Sequence, residues 1–121
     1  METAVILAVM GAALSVGLAG GGSSLGIGTA GAKGAGVFAE KPDLFVKILL
    51  LMLLPGSQGI YGLVISILIL VNAGLLGGDG TTALTLTEGG KYLAAGVAMG
   101  FSGLFSGWFQ GKVSASGIGS M

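Results

Sequence analysis

Long stretches without charge constrain this 121-residue chain more than any other feature of its sequence. Charged side chains are absent from residues 3–32, 48–78 and 92–111. About 20 apolar residues suffice to cross a bilayer as a helix, so each stretch is long enough. Charged residues make up only 8% of the chain, against about 25% in soluble domains. The sequence therefore predicts an integral membrane protein.

The predicted fold is all-α, with three transmembrane helices over residues 3–38, 44–76 and 89–117. Residues 1–78 would form a first antiparallel hairpin, closed at the short polar connection Glu40-Lys41-Pro42-Asp43. Residues 79–88 would form a loop, and residues 89–121 the first helix of a second, incomplete hairpin. A signal peptide in residues 1–20 is disfavoured, because Glu2 stands where a basic segment is expected.

Lysines define the expected orientation in the membrane. Lys33, Lys41, Lys47 and Lys112 lie on one side in this topology, and Lys91 lies on the other. The positive-inside rule makes the first side cytoplasmic. We therefore expect a multi-pass protein of the cell membrane.

Composition excludes several classes of function. The chain has no cysteine and no histidine, which excludes thiol nucleophiles, disulfides, zinc sites and histidine-based catalysis. Five basic and five acidic residues cancel and leave no basic patch for nucleic acid. Serine and tyrosine are present without a buried base to activate them, so a soluble enzyme is not expected.

Glycine, present 26 times, indicates close helix packing. Small residues spaced by three or four let helix backbones approach in a membrane. One such stripe is predicted on each of two helices, and their density favours a tightly packed layer, as in a ring, over ordinary pairing. The stripes are Gly17, Gly20, Gly21, Ser24, Gly28 and Gly31 in the first helix, and Gly96, Gly100, Gly103, Gly107 and Gly111 in the third.

An internal repeat relates the first and third helices. A shift of 79 residues places Ser23 on Ser102, Leu25 on Leu104 and Lys33 on Lys112. This similarity predicts a duplicated membrane hairpin. A complete duplication requires a fourth helix, for which the residues between the third predicted helix and Met121 are too few.

A polar face interrupts the second predicted helix. One helix face, with the spacing i, i+3, i+4, i+7, carries Leu54, Ser57, Gln58 and Tyr61. Pro55 cannot donate a backbone hydrogen bond and frees a carbonyl one turn earlier.

The third helix adds Gln110 to this set of neutral oxygen donors, which suits a hard cation. The alternative is that these polar groups bond one another across helices. A buried carboxylate is not expected within the chain, because its acidic residues lie at helix ends or in loops: Glu2, Glu40, Asp43, Asp79 and Glu88.

Residues 54–62 and 106–113, LPGSQGIYG and SGWFQGKV, resemble the proteolipid subunits of V-type ATPases. The similarity is greatest to the bacterial sodium-pumping kind, called K or c, and extends over nearly the whole chain. It implies a four-helix double hairpin whose copies form a homo-oligomeric rotor ring in the lipid bilayer. Ion flow past a membrane stator subunit would turn the ring, coupled through a central stalk to ATP hydrolysis or synthesis on other subunits.

The resemblance also implies a set of ion ligands. Na⁺ would be held by the Leu54 carbonyl, the Ser57 hydroxyl and the amides of Gln58 and Gln110. Tyr61 would hydrogen-bond the family's essential glutamate. That glutamate belongs to the fourth helix, near position 135 by the repeat, so the essential carboxylate is absent from this chain.

The sequence leaves open the identity of the ion and the class of function. Gln58 favours Na⁺ over H⁺, because proton-type relatives generally lack this glutamine. A structural membrane module without transport, or a small dimeric exporter, would fit the same composition.

The aromatic side chains Phe101, Phe105 and Phe109 lie off the glycine stripe and are expected to face lipid. The expected location is a bacterial plasma membrane.

Overall fold

The computed structural model describes residues 2–77 and 83–121, and every regular element in these ranges is a helix. Three helical stretches are long and apolar enough to cross a membrane, as predicted. The second stretch, Pro42–Asn72, contains four shorter elements. In chain order the elements are α1 (Glu2–Glu40), a 3₁₀ turn (Pro42–Leu44), α2 (Phe45–Leu53), a 3₁₀ turn (Leu54–Gly56), α3 (Ser57–Asn72) and α4 (Leu86–Gly119).

The first connection is short. Pro42 opens a 3₁₀ turn, where its fixed φ and missing N–H are tolerated. The Lys41 N–H donates back to the Val37 carbonyl at 2.8 Å. Across the turn, the rings of Phe38 and Phe45 meet edge to face with centroids 5.5 Å apart. These contacts reverse the chain between α1 and α2 within a few residues.

The start of α4 differs from the prediction because capping residues determine where the helix begins. α4 begins at Leu86, three residues before the predicted start, so the expected loop at 86–88 is wrong. The Thr85 hydroxyl accepts from the Glu88 N–H at 3.2 Å, and the Glu88 carboxylate accepts from the Thr85 N–H at 3.1 Å. This capping box starts the helix early. Residues 79–82 of the predicted loop lie outside the described residues.

The second stretch ends earlier than predicted. α3 stops at Asn72 rather than at residue 76. Gly74 and Gly77 have φ values of 78° and 74°, a conformation that glycine adopts readily and other residues rarely do. The chain therefore turns out of the helix over these residues.

α1 and α4 run parallel and touch backbone to backbone. Added methyl groups at Gly96, Gly107 and Gly111 would collide with the backbones of Gly11, Gly22 and Gly26 respectively. All five predicted stripe glycines of α4 are buried, which confirms that face as the contact surface. Contacting backbones need glycine, because a Cβ atom at these positions would force the helices apart.

The contact face of α1 differs from the prediction. The residues facing α4 include Gly11, Ala19, Gly22 and Gly26, whereas Gly17, Gly20 and Gly28 have no atom of the chain near an added methyl. Much of the predicted α1 stripe therefore does not face α4, because α1 carries small residues on two faces and spacing alone did not choose between them.

The contact register of α1 and α4 differs from the register of the sequence repeat. Contacting glycines of α1 and α4, such as Gly11 with Gly96 and Gly22 with Gly107, are 85 residues apart. The shift of 79 residues therefore pairs positions that lie at different levels, about 9 Å apart at 1.5 Å per residue. The abundance of glycine produces matches in both registers.

Glycine, alanine and serine make up most of the interior, and large apolar side chains cover the outside. Ala4, Ala8 and Ala12 form one core cluster with residues of the second stretch. Outer side chains such as Leu50 and Val113 are 63% and 71% exposed. Phe101, Phe105 and Phe109 are also exposed, as expected for side chains that face lipid. This inversion suits a protein surrounded by hydrocarbon.

A test of the close contact compares two glycines of α1. A methyl at Gly11 would lie 2.9 Å from the Leu93 Cα atom, whereas Gly36 has open space around it. We expect Gly11→Ala to lower the free energy of unfolding in detergent by about 1–3 kcal/mol through overpacking. Gly36→Ala should leave it unchanged or raise it by up to about 1 kcal/mol, because alanine favours helix. Thermal unfolding followed by circular dichroism measures both, and equal melting temperatures would contradict the close contact.

Candidate functional site

Pro55 creates the local structure on which the polar site is built. The residue is fully buried and lies in the 3₁₀ turn Leu54–Gly56, between α2 and α3. A proline inside a helix removes one backbone hydrogen bond and clashes with the preceding turn. The chain responds by tightening, so the Ser57 N–H donates to the Leu54 carbonyl three residues earlier. Gly26 of α1 leaves room for the Pro55 ring, since an added methyl there would lie 2.6 Å from Pro55 Cβ.

The structure brings the four predicted ligand residues into one connected cluster. Ser57 Oγ lies 3.2 Å from the Leu54 carbonyl oxygen and 3.3 Å from Gln58 Oε1. Gln58 Nε2 donates to Gln110 Oε1 at 2.6 Å and so joins α3 to α4. Three helical elements thus contribute to one patch of neutral oxygen atoms.

The cluster lies at the edge of the bundle rather than in its centre. Ser57, Gln58 and Gln110 are half-buried, and Leu54 is 50% exposed. An open groove of about 540 Å³ runs past them. Its lining is largely apolar and consists of Ile27, Leu50, Leu53, Leu54, Gly56, Ser57, Ile60 and Gln110. The polar atoms therefore face a surface that lipid or another protein segment must cover in the membrane.

Tyr61 shares this side of the second stretch. Its side chain is 58% exposed, one helical turn beyond Gln58. The structure therefore leaves more than half of Tyr61 accessible to a group outside the chain. The expected role of Tyr61 toward a carboxylate stays a prediction.

Acidic ligands do not gather at this cluster. Within residues 2–77 and 83–121, no three histidine, cysteine, aspartate or glutamate side chains come close enough to hold a metal ion. Glu40 and Asp43 lie at the end of α1 and in the turn after it. The donors of the cluster are therefore uncharged.

Two serine contacts were not predicted from the sequence. Ser15 Oγ donates to the Gly62 carbonyl at 2.8 Å, and Ser23 Oγ accepts from the Gly59 N–H at 2.8 Å. Both serines are buried in α1 and fix α3 against it. Their separation of eight residues, about two helical turns, places them near one helix face but does not indicate their partners on α3.

Comparisons with known proteins point to the family that residues 54–62 and 106–113 resemble. The profile of the family of ATP synthase C subunits matches residues 10–69. The V-type sodium ATPase subunit K of Enterococcus hirae is 41% identical over 113 residues, which are 93% of this chain and 68% of the relative. The chain belongs to the V/A-type ATPase proteolipid family.

Other proteolipid relatives match the chain to a similar extent. The A-type ATP synthase subunit K of Methanocaldococcus jannaschii is 38% identical over 121 residues, which are 100% of this chain and 50% of that relative. The 16 kDa proteolipid of the V-type proton ATPase of Nephrops norvegicus is 33% identical over 110 residues, 91% of this chain and 66% of that relative. The chain thus spans between half and about two thirds of the length of these relatives. A proteolipid of this family is a non-catalytic membrane component, so this chain is not by itself an enzyme.

The link between Gln58 and Gln110 in this proteolipid can be measured by a double-mutant cycle. Each change to leucine leaves the partner amide without its hydrogen bond, so the effects of Gln58→Leu and Gln110→Leu should not add. We expect a coupling free energy of about 0.5–1.5 kcal/mol in detergent unfolding.

Gln58→Leu combined with Ser116→Ala supplies the control, because Ser116 is exposed on α4. That pair should be additive. Additive behaviour of the two glutamine variants would contradict the contact.

Proposed function

We propose that this proteolipid is a rotor-ring subunit that carries Na⁺ across the membrane in a V-type ATPase. The observation that supports this most is the cluster of Leu54, Ser57, Gln58 and Gln110, which brings neutral oxygen donors from three elements together at the lipid-facing edge. An edge location suits a transported ion, which has to be exchanged with a stator subunit. ATP would be hydrolysed or synthesised on other subunits.

The spacing of the oxygens is compatible with a shared cation. Oxygen ligands about 2.4 Å from a cation lie roughly 3.4 Å from each other when their bonds are at right angles. Ser57 Oγ lies 3.2 Å from the Leu54 oxygen and 3.3 Å from Gln58 Oε1. Gln110 would join the ion by turning its carbonyl away from the Gln58 amide.

The proposed site needs a negative charge from outside these residues. A cation held in lipid only by neutral donors would retain its full charge, which is costly in a medium of low dielectric. The accessible hydroxyl of Tyr61 is suited to orient a carboxylate at this edge. We propose that a glutamate on a fourth helix supplies that charge.

Sodium is favoured over hydrogen ion by the donors themselves. A proton needs only one basic group, whereas Na⁺ requires several oxygens around it. Gln58 contributes an oxygen that protonation of a carboxylate would not use. The 41% identity to a sodium ATPase subunit supports the same choice, although the relatives include proton ATPase subunits.

A ring of identical copies is the proposed assembly. Gly17, Gly20 and Gly28 form a second small-residue face on α1, and an added methyl at each meets no atom within 4 Å. A neighbouring copy can approach this face closely. Membership of the proteolipid family supports the ring and its contacts with a stator subunit and a central stalk. The lysine-rich end would face the cytoplasm of a bacterial cell.

A structural module without transport is the second candidate. The Gln58–Gln110 hydrogen bond favours it, because the two amides already satisfy each other. The two candidates differ in their response to ions. A structural module would keep the same thermal stability with and without Na⁺, whereas an ion carrier would gain stability when Na⁺ binds.

Substitution of Gln58 tests the ligand assignment in the intact ATPase. Gln58→Leu removes one oxygen donor and should raise the Na⁺ concentration for half-maximal ATP hydrolysis by about tenfold, equivalent to roughly 1.4 kcal/mol. Assays over a range of Na⁺ concentrations at constant ionic strength measure the shift.

The matched control is Leu63→Ala, which changes an exposed side chain of α3. It should leave the Na⁺ dependence unaltered. An unchanged Na⁺ affinity in Gln58→Leu would remove Gln58 from the ligand set.

Enlarging the open face of α1 tests the ring. Gly28→Leu fills the space that a neighbouring copy would need, and should reduce the yield of intact rings at least severalfold. Native mass spectrometry of the membrane extract measures the number of copies. Gly36→Leu, at a second open position of α1 nearer its end, is the control. Dimers as the largest species in the wild type would favour a small exporter instead.

A further inference from the structure

A buried hydroxyl of α1 reaches the backbone of α3 next to the candidate ion ligands. Ser23 Oγ accepts a hydrogen bond of 2.8 Å from the Gly59 N–H. Ser23 is only 7% exposed, and Gly59 is the third residue of α3. The first N–H groups of a helix lack partners within it, so a contact from another helix stabilises this turn.

The bonded peptide group includes the backbone of Gln58. The Gly59 N–H and the Gln58 carbonyl belong to one planar peptide unit. Within α3 the helical ψ angle of Gln58 relates its Cα–Cβ bond to this plane, so a hydrogen bond that holds the plane also restricts the direction of the Gln58 side chain. The orientation of the Gln58 side chain therefore depends on Ser23, although Ser23 does not itself join the polar cluster.

Close packing leaves little freedom around this bond. A methyl added at Gly59 would lie 3.2 Å from Ser23 Oγ, and one at Gly56 would lie 3.3 Å from Ile27 Cδ1. Gly26 makes room for Pro55 in the same region. α1 therefore touches the chain before and after Ser57 and Gln58, and Ser23 supplies the directional contact.

We propose that Ser23 is a positioning residue for the ion site, because its hydroxyl sets the backbone that carries Gln58. The proposal rests on the proposed function. Ser15 provides a contrast within the same helix: it is completely buried and also bonds α3, but at the Gly62 carbonyl, beyond the polar cluster. Ser15 stabilises the α1–α3 contact without orienting the peptide next to Gln58.

Three variants of the intact ATPase test the proposal. Ser23→Ala removes the acceptor and should raise the half-saturating Na⁺ concentration by about three- to tenfold, the effect of losing one hydrogen bond. Ser23→Thr keeps a hydroxyl and should restore most of the affinity. Ser15→Ala should shift the Na⁺ concentration less than twofold, although it lowers the melting temperature of the ring as much as Ser23→Ala does.

The ratio of Na⁺ to Li⁺ affinity is the second readout, because it reports ligand geometry rather than stability. Ser23→Ala should change this ratio and Ser15→Ala should not. Where Ser23→Ala rings do not assemble, Ser23→Cys keeps nearly the same volume with a weaker acceptor and should show an intermediate shift. Unchanged Na⁺ affinity in Ser23→Ala, or in Ser23→Cys where that variant replaces it, would overturn the positioning role. Equal shifts in the Ser23 and Ser15 variants would do the same.

Failure of the proposed function gives a different result. Wild-type activity that does not respond to Na⁺ would reject sodium transport. The positioning role would then be measured as a shift in the pH midpoint of ATP-driven proton uptake. A midpoint that moves in Ser23→Ala and not in Ser15→Ala would support Ser23, and an unmoved midpoint would reject it.

Discussion

Hydrogen-bond satisfaction inside lipid is the constraint on which the rest of this structure depends. Hydrocarbon offers no partners, so each polar group in the membrane must find one within protein. Pro55 interrupts the helix in the middle of an apolar stretch and removes one of its backbone hydrogen bonds. The demand is met by the 3₁₀ turn at Leu54–Gly56, by the hydroxyl of Ser23 and by the pairing of Gln58 with Gln110. The oxygens of Leu54, Gln58 and Gln110 also belong to the candidate ion site, which Ser23 supports from outside it.

Glycines along the α1–α4 contact make this arrangement possible. Glycine at positions such as Gly22 and Gly107 lets the two helices meet through their backbones. This close approach brings Gln110 of α4 within reach of Gln58 and leaves space for Pro55 beside Gly26. Substitution in the contact would thus disturb both the helix packing and the polar cluster, which share the same narrow space.

Sequence patterns predicted the three membrane-spanning helices and the α4 contact face. A long apolar run indicates a helix that crosses the membrane, and the five stripe glycines of α4 all lie on a single face. The same patterns did not identify which small-residue face of α1 contacts α4. The contact register of the two helices also differs from the sequence repeat, because glycine matches glycine in more than one alignment. The grouping of Leu54, Ser57, Gln58 and Gln110 followed from helical spacing and family resemblance. The contact between Ser23 and Gly59 could not be predicted, because it depends on the relative level of two helices.

In the proposed ring, the close spacing of α1 and α4 would affect the number of copies that fit around the rotor. If such helices line the inside of a ring, the distance between their axes fixes the circumference that each copy occupies. A narrow protomer allows more copies around a rotor of given radius. Each copy that carries one ion adds one step to a full turn, so the number of copies sets the ratio of ions moved to ATP converted. The small size of Gly11, Gly22 and Gly26 would then influence the number of ions moved for each ATP converted.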